Sequence, residues 1–321
     1  MLQGKQLILA TKPFAKENRA ISWYYTISTF LLLIISLIGT IYNLHFLLKL
    51  LCSILAGFII VRLFVIYHDH QHKAILDKSP LANLLFTVFG FYVLAPSGIW
   101  SASHDYHHKN NSKLFSASIG SYPIYTKQKF EKLSKSEQRH YLFIRHPLTI
   151  LFGYFFTFMY GMTIKSIINR FGKNIDSLIG LLLHITYQFL VVYFFGFKSW
   201  ILFCAIPHFI SGALGSYLFY AQHNFPTVKF VGNEEWTYEG AALDSSSFMV
   251  LNPLMHWFTA NIGYHHVHHM NSRIPFYRLP EVMNSIPEMQ TVKTTSLHMK
   301  DIISCLKLKV WDFEQQKMIS L

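Results

Sequence analysis

The chain has 321 residues, 52% hydrophobic and 17% aromatic but only 14% charged; a soluble domain carries about a quarter charged residues, so lipid rather than water is expected to solvate much of this surface. The net charge of +12 does not read as a nucleic-acid interface. Basic residues collect in the N-terminal arm (Lys5, Lys12, Lys16, Arg19) and between Lys109 and Arg145, flanking apolar runs as positive-inside loops do.

The first 21 residues are polar and basic, without the apolar core and small-residue cleavage site of a signal peptide, so the first apolar run is expected to act as an uncleaved insertion signal. Crossing the hydrocarbon core takes about 20 apolar residues in a helix. Four stretches qualify: 22–42, 47–67, 177–197 and 200–220. They group as two hairpins, with the Asn43–Phe46 turn and Lys198 on the far side of the membrane. Lys49 and Arg62 in the second stretch are expected to snorkel to the interface. Residues 81–98 hold Gly90, Pro96 and Gly98, and residues 147–168 are long enough to span but contain Gly153 and Gly161. If the histidine clusters described next share one side of the membrane, both segments must be re-entrant or interfacial. Residues 222–321 read as a polar cytoplasmic cap, ending in an amphipathic helix over 296–316. Without a linker, repeat or low-complexity tract, 1–321 is one domain. The expected fold is an all-α integral membrane protein with four transmembrane helices in two hairpins, re-entrant or interfacial helices, and a cap over a metal site. Cys52, Cys204 and Cys305 form no CxxC pair and give no sign of a disulfide framework.

Histidine is the abnormal count: 18, against 16 acidic residues. The first cluster is HDHQH, in which His68 and His72 are i and i+4 on one helix face while His70 points elsewhere. The second is HDYHH, with His104, His107 and His108 spaced i, i+3, i+4. The third is HHVHH, where His265, His268 and His269 repeat that spacing and His266 is the odd one out. Imidazole suits iron, copper, zinc and nickel. Eight histidines exceed the four ligands of a tetrahedral zinc site, and two metals fit the number. The clusters sit at the ends of apolar segments, so the site belongs just outside the bilayer core, above a bundle able to hold an apolar tail. Hydrogen removal from an unactivated methylene lies beyond side-chain acid–base chemistry and calls for a redox metal with O2 as co-substrate.

These three boxes, in this order and spacing, resemble those of the membrane fatty acid desaturase superfamily. The stretches YAQHNF and NIGYHHVHHMNSRIPFYRL, and the terminal KVWDFEQQ, are similar to acyl-lipid desaturases of the omega-6/delta-12 type, over roughly residues 50–315. The resemblance implies two non-haem iron ions bound by His68, His72, His104, His107, His108, His265, His268 and His269, with His223 of QHNF as a further ligand. Box one departs from many relatives, with Asp69, His70 and Gln71 where they carry Cys or Glu and then Gly. No fused haem domain is legible, so electrons are expected from a separate ferredoxin or cytochrome b5-like donor, with Lys127–Arg145 as a candidate docking stretch. The implied activity is O2-dependent desaturation of an acyl lipid by a multi-pass protein of a bacterial cytoplasmic membrane, with the site on the cytoplasmic side. The same boxes also serve a lipid or carotenoid hydroxylase or ketolase. A metal transporter would place its ligands near the membrane midplane instead.

Supporting roles around the ligands fall to Asp69 and Asp105, each following a box histidine, and to His256 and Asn261. Asp244 is a weaker candidate. His184 and His208 are read as neutral histidines bonded to neighbouring helices, and Gly212 and Gly215 as close-packing positions that also thin a helix.

Overall fold

Long apolar runs without internal proline fold as helix, and polar residues stop them. The computed structural model describes residues 2–114 and 122–321. Helix α1 (Arg19–Ile41) opens at Asn18, whose side chain accepts the Ile21 N–H at 3.2 Å. Helix α2 (Phe46–Gln71) packs along it and continues past the apolar run to carry the first box, with His72 as its C-cap. Among the described residues three helices are long and apolar enough to cross a membrane: α1, α2 and a run from Ile175 to Ala221.

The expected 81–98 segment makes no straight crossing. Helices α3 (Pro80–Tyr92) and α4 (Ser97–Asn110) meet at 89°. The bend uses Leu94 at φ 56 and Pro96, which cannot continue a helix from α3. Residues 147–168 form a short helix from Pro147 to Leu151 and then α5 (Tyr154–Ile164), wound as a π-helix.

The Ile175–Ala221 run is 47 residues and would extend about 70 Å if straight. It does not. Within α6 (Ile175–Trp200), Gly196 takes φ 79 and ψ 166, a left-handed backbone that suits glycine. Beyond it, α7 (Ile206–Ala221) returns alongside α6. The rings of His184 and His208 stand 5.2 Å apart, and the Trp200 indole donates to Gln188 Oε1 at 2.9 Å. The chain therefore reverses near Gly196. Gly57 of α2 lets α7 approach closely, since a Cβ there would stand 2.8 Å from Ile210 Cβ. The two helices run in the same direction and deliver His68 and His223 to one end of the bundle.

Three sequence expectations need correction. The cap is not all-α: Phe248–Val250 pairs with Thr294–Ser296 in parallel, and Val310–Asp312 pairs with Lys317–Ile319 antiparallel. The amphipathic helix stops early, as α10 (Met299–Lys307), because Val310 and Trp311 enter that hairpin, where Trp311 is fully buried against Phe230. Two further helices of the cap, α8 (Pro253–Phe258) and α9 (His265–Met270), precede it. Arg62 does not snorkel. It is 3% exposed, donates to Thr29 Oγ1 and to the Trp257 carbonyl, and lies 4.3 Å from the Trp257 ring centroid. Helix α8 of the cap covers it, and aromatic faces take the place of water.

Candidate metal centre

Local helix geometry sets up each box. His68 and His72 share a face of α2 at its end, α4 presents His104, His107 and His108, and α9 presents His265, His268 and His269. His223 follows α7 directly. Packing then sorts these nine into two groups whose ring nitrogens lie within 4.8 Å of one another: His68, His72, His104, His108 and His268; and His107, His223, His265 and His269. The groups adjoin, with the rings of His108 and His269 stacked at 4.3 Å.

In the first group His104 Nε2 lies 2.8 Å from His68 Nε2 and 3.2 Å from His108 Nε2, which is itself 3.0 Å from His268 Nε2. In the second, His223 Nε2 lies 3.0 Å from His107 Nε2 and 2.9 Å from His265 Nε2, which is 3.1 Å from His269 Nε2. A neutral ring nitrogen holds either a proton or an in-plane lone pair, never both. In each series an inner nitrogen would have to accept twice through one lone pair or donate twice through one proton. Hydrogen bonding alone thus satisfies neither group, and His72 Nε2 is buried with no hydrogen-bond partner among the described residues. A cation at each convergence point would satisfy the lone pairs together, so the donor sets fit metal ions.

The environment keeps the rings uncharged. Burial pushes the His223 imidazole down to about 4 and those of His265, His268 and His269 well below the ordinary histidine range, with neighbouring rings adding to the effect. His223 Nδ1 donates to the Ser245 carbonyl at 2.9 Å, which leaves the Nε2 lone pair facing the group.

The candidate supporting residues separate. Asp69 is buried, with Oδ1 3.1 Å from His68 Nδ1 and Oδ2 accepting the Phe276 N–H at 2.6 Å. Asn261 is one step removed, donating to the Phe276 carbonyl at 3.2 Å. Asp105 is exposed on α4, because its position turns it away from the face bearing His104 and His108. His256 stacks on Tyr264 at 5.1 Å and Phe248 at 6.2 Å, outside both groups. His70 and His266 face away as their spacing required: His70 Nε2 lies 2.9 Å from Asn83 Oδ1, and His266 Nε2 3.1 Å from the Met289 carbonyl. Sequence reasoning missed Trp100, which is fully buried and stacked on His104 at 4.9 Å and 15°. Its offset of i and i+4 from His104 was the available signal. Arg145, at the end of the candidate docking stretch, is buried and donates to Asn224 Oδ1 at 2.6 Å, so it offers no charge to a partner.

Beneath the histidines lies a cavity of about 50 Å³, walled by Ile60, Val61, Phe64, Val65, Leu218 and Phe219 and reaching His68, His104 and His265 at one end. A dedicated family model for fatty acid desaturases matches residues 44–298. The chain belongs to the fatty acid desaturase family. A fatty acid desaturase of Bacillus subtilis (strain 168) is 29% identical over 286 residues, covering 87% of this desaturase and 79% of the relative. An sn-1 acyl-lipid omega-3 desaturase (ferredoxin) of Nostoc is 25% identical over 70% of the chain and 63% of its own length. A Delta(12)-fatty-acid desaturase of Arabidopsis thaliana is 22% identical over 72% and 63%. The chain is thus an oxidoreductase of lipid metabolism with histidine clusters able to hold metal.

Proposed function

We propose that the nine histidines hold two non-haem iron ions and that this desaturase converts a methylene pair of a membrane acyl lipid into a cis double bond. The overall balance is –CH2–CH2– plus O2, two electrons and two protons, giving –CH=CH– and two waters. The electrons come one at a time from a separate donor of ferredoxin or cytochrome b5 type; a relative whose name specifies ferredoxin supports this. The observation that carries the reading is the convergence of two all-imidazole groups on the end of an apolar cavity. When bound, the irons supply the oxidising power toward an unactivated C–H bond that no side chain here possesses.

The protein's own residues position and exclude. Asp69 fixes the His68 ring, and the Ser245 carbonyl fixes His223. Trp100 clamps His104 from behind. The aliphatic and aromatic walls hold a tail in place and keep water from the reacting carbons.

The chain reversal at Gly196 and the bend between α3 and α4 support four crossings, 22–42, 47–67, 177–197 and 200–220, with 81–98 and 147–168 dipping from one side and 222–321 capping it. Residues 1–321 then form one domain in a bacterial cytoplasmic membrane, with the site on the cytoplasmic side.

The test is fatty-acid profiling with double-bond mapping in a host that expresses the chain with a ferredoxin system, beside His268→Ala at matched level. A new unsaturated acid made only by the intact chain is expected. A new hydroxy acid instead would move the assignment to hydroxylation, and iron-replete protein without bound iron would sink it.

A further inference from the structure

A cation inside an apolar helix needs a reason to be there. Arg62 stands within the apolar run 47–67 of α2, and among the described residues no carboxylate pairs with it. Its guanidinium goes instead to the cap, donating to the Trp257 carbonyl and lying 4.3 Å from the centre of the Trp257 ring. Beside it Phe258 packs on Phe58, with ring centroids 5.0 Å apart. Arg62 and Phe58 precede His68 by six and ten residues, about 9 and 15 Å along the helix. Phe58 is next to the midpoint of the run 47–67, whereas His68 follows its end. Helix α8 of the cap therefore lies beside the middle of α2, well below the histidines.

The segment leaves the cap and rejoins it at one neck. The Met249 N–H donates to the Gly263 carbonyl at 2.8 Å, and Phe248 bridges to Tyr264. Gln222, which caps α7, donates to the Ile262 carbonyl at 2.8 Å, and box three opens at His265. Residues 250–262 thus form a compact loop with its ends together, its base near the metal centre and its tip beside Phe58.

Two features suit this loop to hydrocarbon rather than water. The first is its backbone, because a polar group left unpaired in lipid has no water to fall back on. Asn252 Oδ1 accepts the Met255 N–H at 2.8 Å. The carbonyls of Asn252, Met255, His256 and Thr259 accept from the N–H groups of His256, Thr259, Asn261 and Ile262 at 2.9–3.0 Å. The Trp257 carbonyl takes the Ala260 N–H at 3.2 Å together with the Arg62 guanidinium. The second feature is the outer face. Leu254 is 62% exposed and Trp257 39%, one helical turn apart, with Val250 51% exposed at the neck. They lie near the depth of Thr29 on α1, which accepts from Arg62, and of its exposed neighbours Ile27 and Leu31. The apolar surface of α1 thus continues onto the cap.

We propose that residues 250–262 are a re-entrant loop of the cap that inserts into the bilayer, with Leu254 and Trp257 against lipid acyl chains and Arg62 clamping the tip from the protein side. The loop anchors box three in the membrane, since it rejoins the cap just ahead of His265.

The test places a nitroxide spin label at Leu254→Cys, with Leu31→Cys as the lipid reference and Glu235→Cys, exposed on the cap, as the water reference. All three are made on a Cys52→Ala chain, since Cys204 and Cys305 are buried. The full-length proteins are reconstituted in phosphatidylcholine vesicles, and collision with O2, which concentrates in hydrocarbon, is compared with collision with a water-soluble nickel chelate. The Leu254 label should match Leu31, favouring O2 several-fold more than Glu235 does. A label at Val250→Cys, nearer the neck, should read shallower than Leu254. A Leu254 label that the nickel chelate reaches as readily as Glu235 overturns the proposal. So does one that neither probe reaches, which would mark a protein contact, and so does a Val250 label deeper than Leu254. If Leu31 itself reads as water, the crossing of α1 fails and the loop's insertion fails with it. Both loop positions are exposed, so the labels disturb no packing, and melting curves matched to the unlabelled chain confirm the fold.

Discussion

Asp69→Asn tests the support of the metal centre with almost no change in volume. In the native chain one carboxylate oxygen stands 3.1 Å from His68 Nδ1 and the other accepts the Phe276 N–H at 2.6 Å, all at a residue 1% exposed. Asparagine has a single acceptor oxygen. If it keeps the buried Phe276 N–H, its amide nitrogen turns toward His68 Nδ1 and can be met only by a lone pair there. The His68 proton then moves to Nε2, the atom that stands 2.8 Å from His104 Nε2 and faces the first group. The ring becomes a poor ligand without moving. Loss of such a supporting contact typically lowers metal affinity by about 10–100-fold, or roughly 1.4–2.7 kcal/mol. The metal-free fold should melt near the wild-type temperature, because Phe276 keeps its acceptor. Asp69→Ala strands that N–H as well and should cost about 1–3 kcal/mol of stability. The assay is iron or cobalt competition against a chelator in detergent, alongside melting curves of the metal-free proteins. A competition curve for Asp69→Asn within twofold of wild type, on an intact fold, would refute the reasoning.

Two further predictions follow from placement. His223→Ala removes one of four nitrogens from the second group and should cut bound iron from about two per chain toward one, whereas His256→Gln, whose ring stacks outside both groups, should leave iron content unchanged by elemental analysis. Gly212→Ala would set a Cβ 2.5 Å from the Tyr154 backbone nitrogen and should cost about 1–3 kcal/mol or more by thermal melting; Gly215→Ala, whose Cβ meets the end of the Phe158 ring at 3.4 Å, should cost less than about 1.5 kcal/mol.

Much of the centre was legible in the sequence because its grammar is local. Helical spacing puts His68 and His72 on one face, and likewise His104 with His108 and His265 with His269, and it turns His70 and His266 away. Run lengths located α1, α2 and the paired apolar stretches, and the glycine and proline of 81–98 marked a segment that could not run straight. The resemblance supplied His223, which no spacing links to the boxes.

Other features were decided only by tertiary structure, because they depend on what lies across from a residue. Asp69 and Asp105 look alike in sequence, each following the first histidine of a box. One is buried against Phe276, some 200 residues away in the chain, and the other faces solvent. Arg62 looked like an interfacial lysine-like anchor until α8 and its Trp257 covered it. The division of the histidines is likewise non-local. His107 leaves its helix neighbours His104 and His108 to join His223, and His268 crosses to the first two boxes, because an i+3 step turns about 60° short of a full circle and an i+4 step about 40° beyond it. Spacing along one helix fixes which ring faces which way. Which rings then share a metal is fixed by the helices that pack opposite.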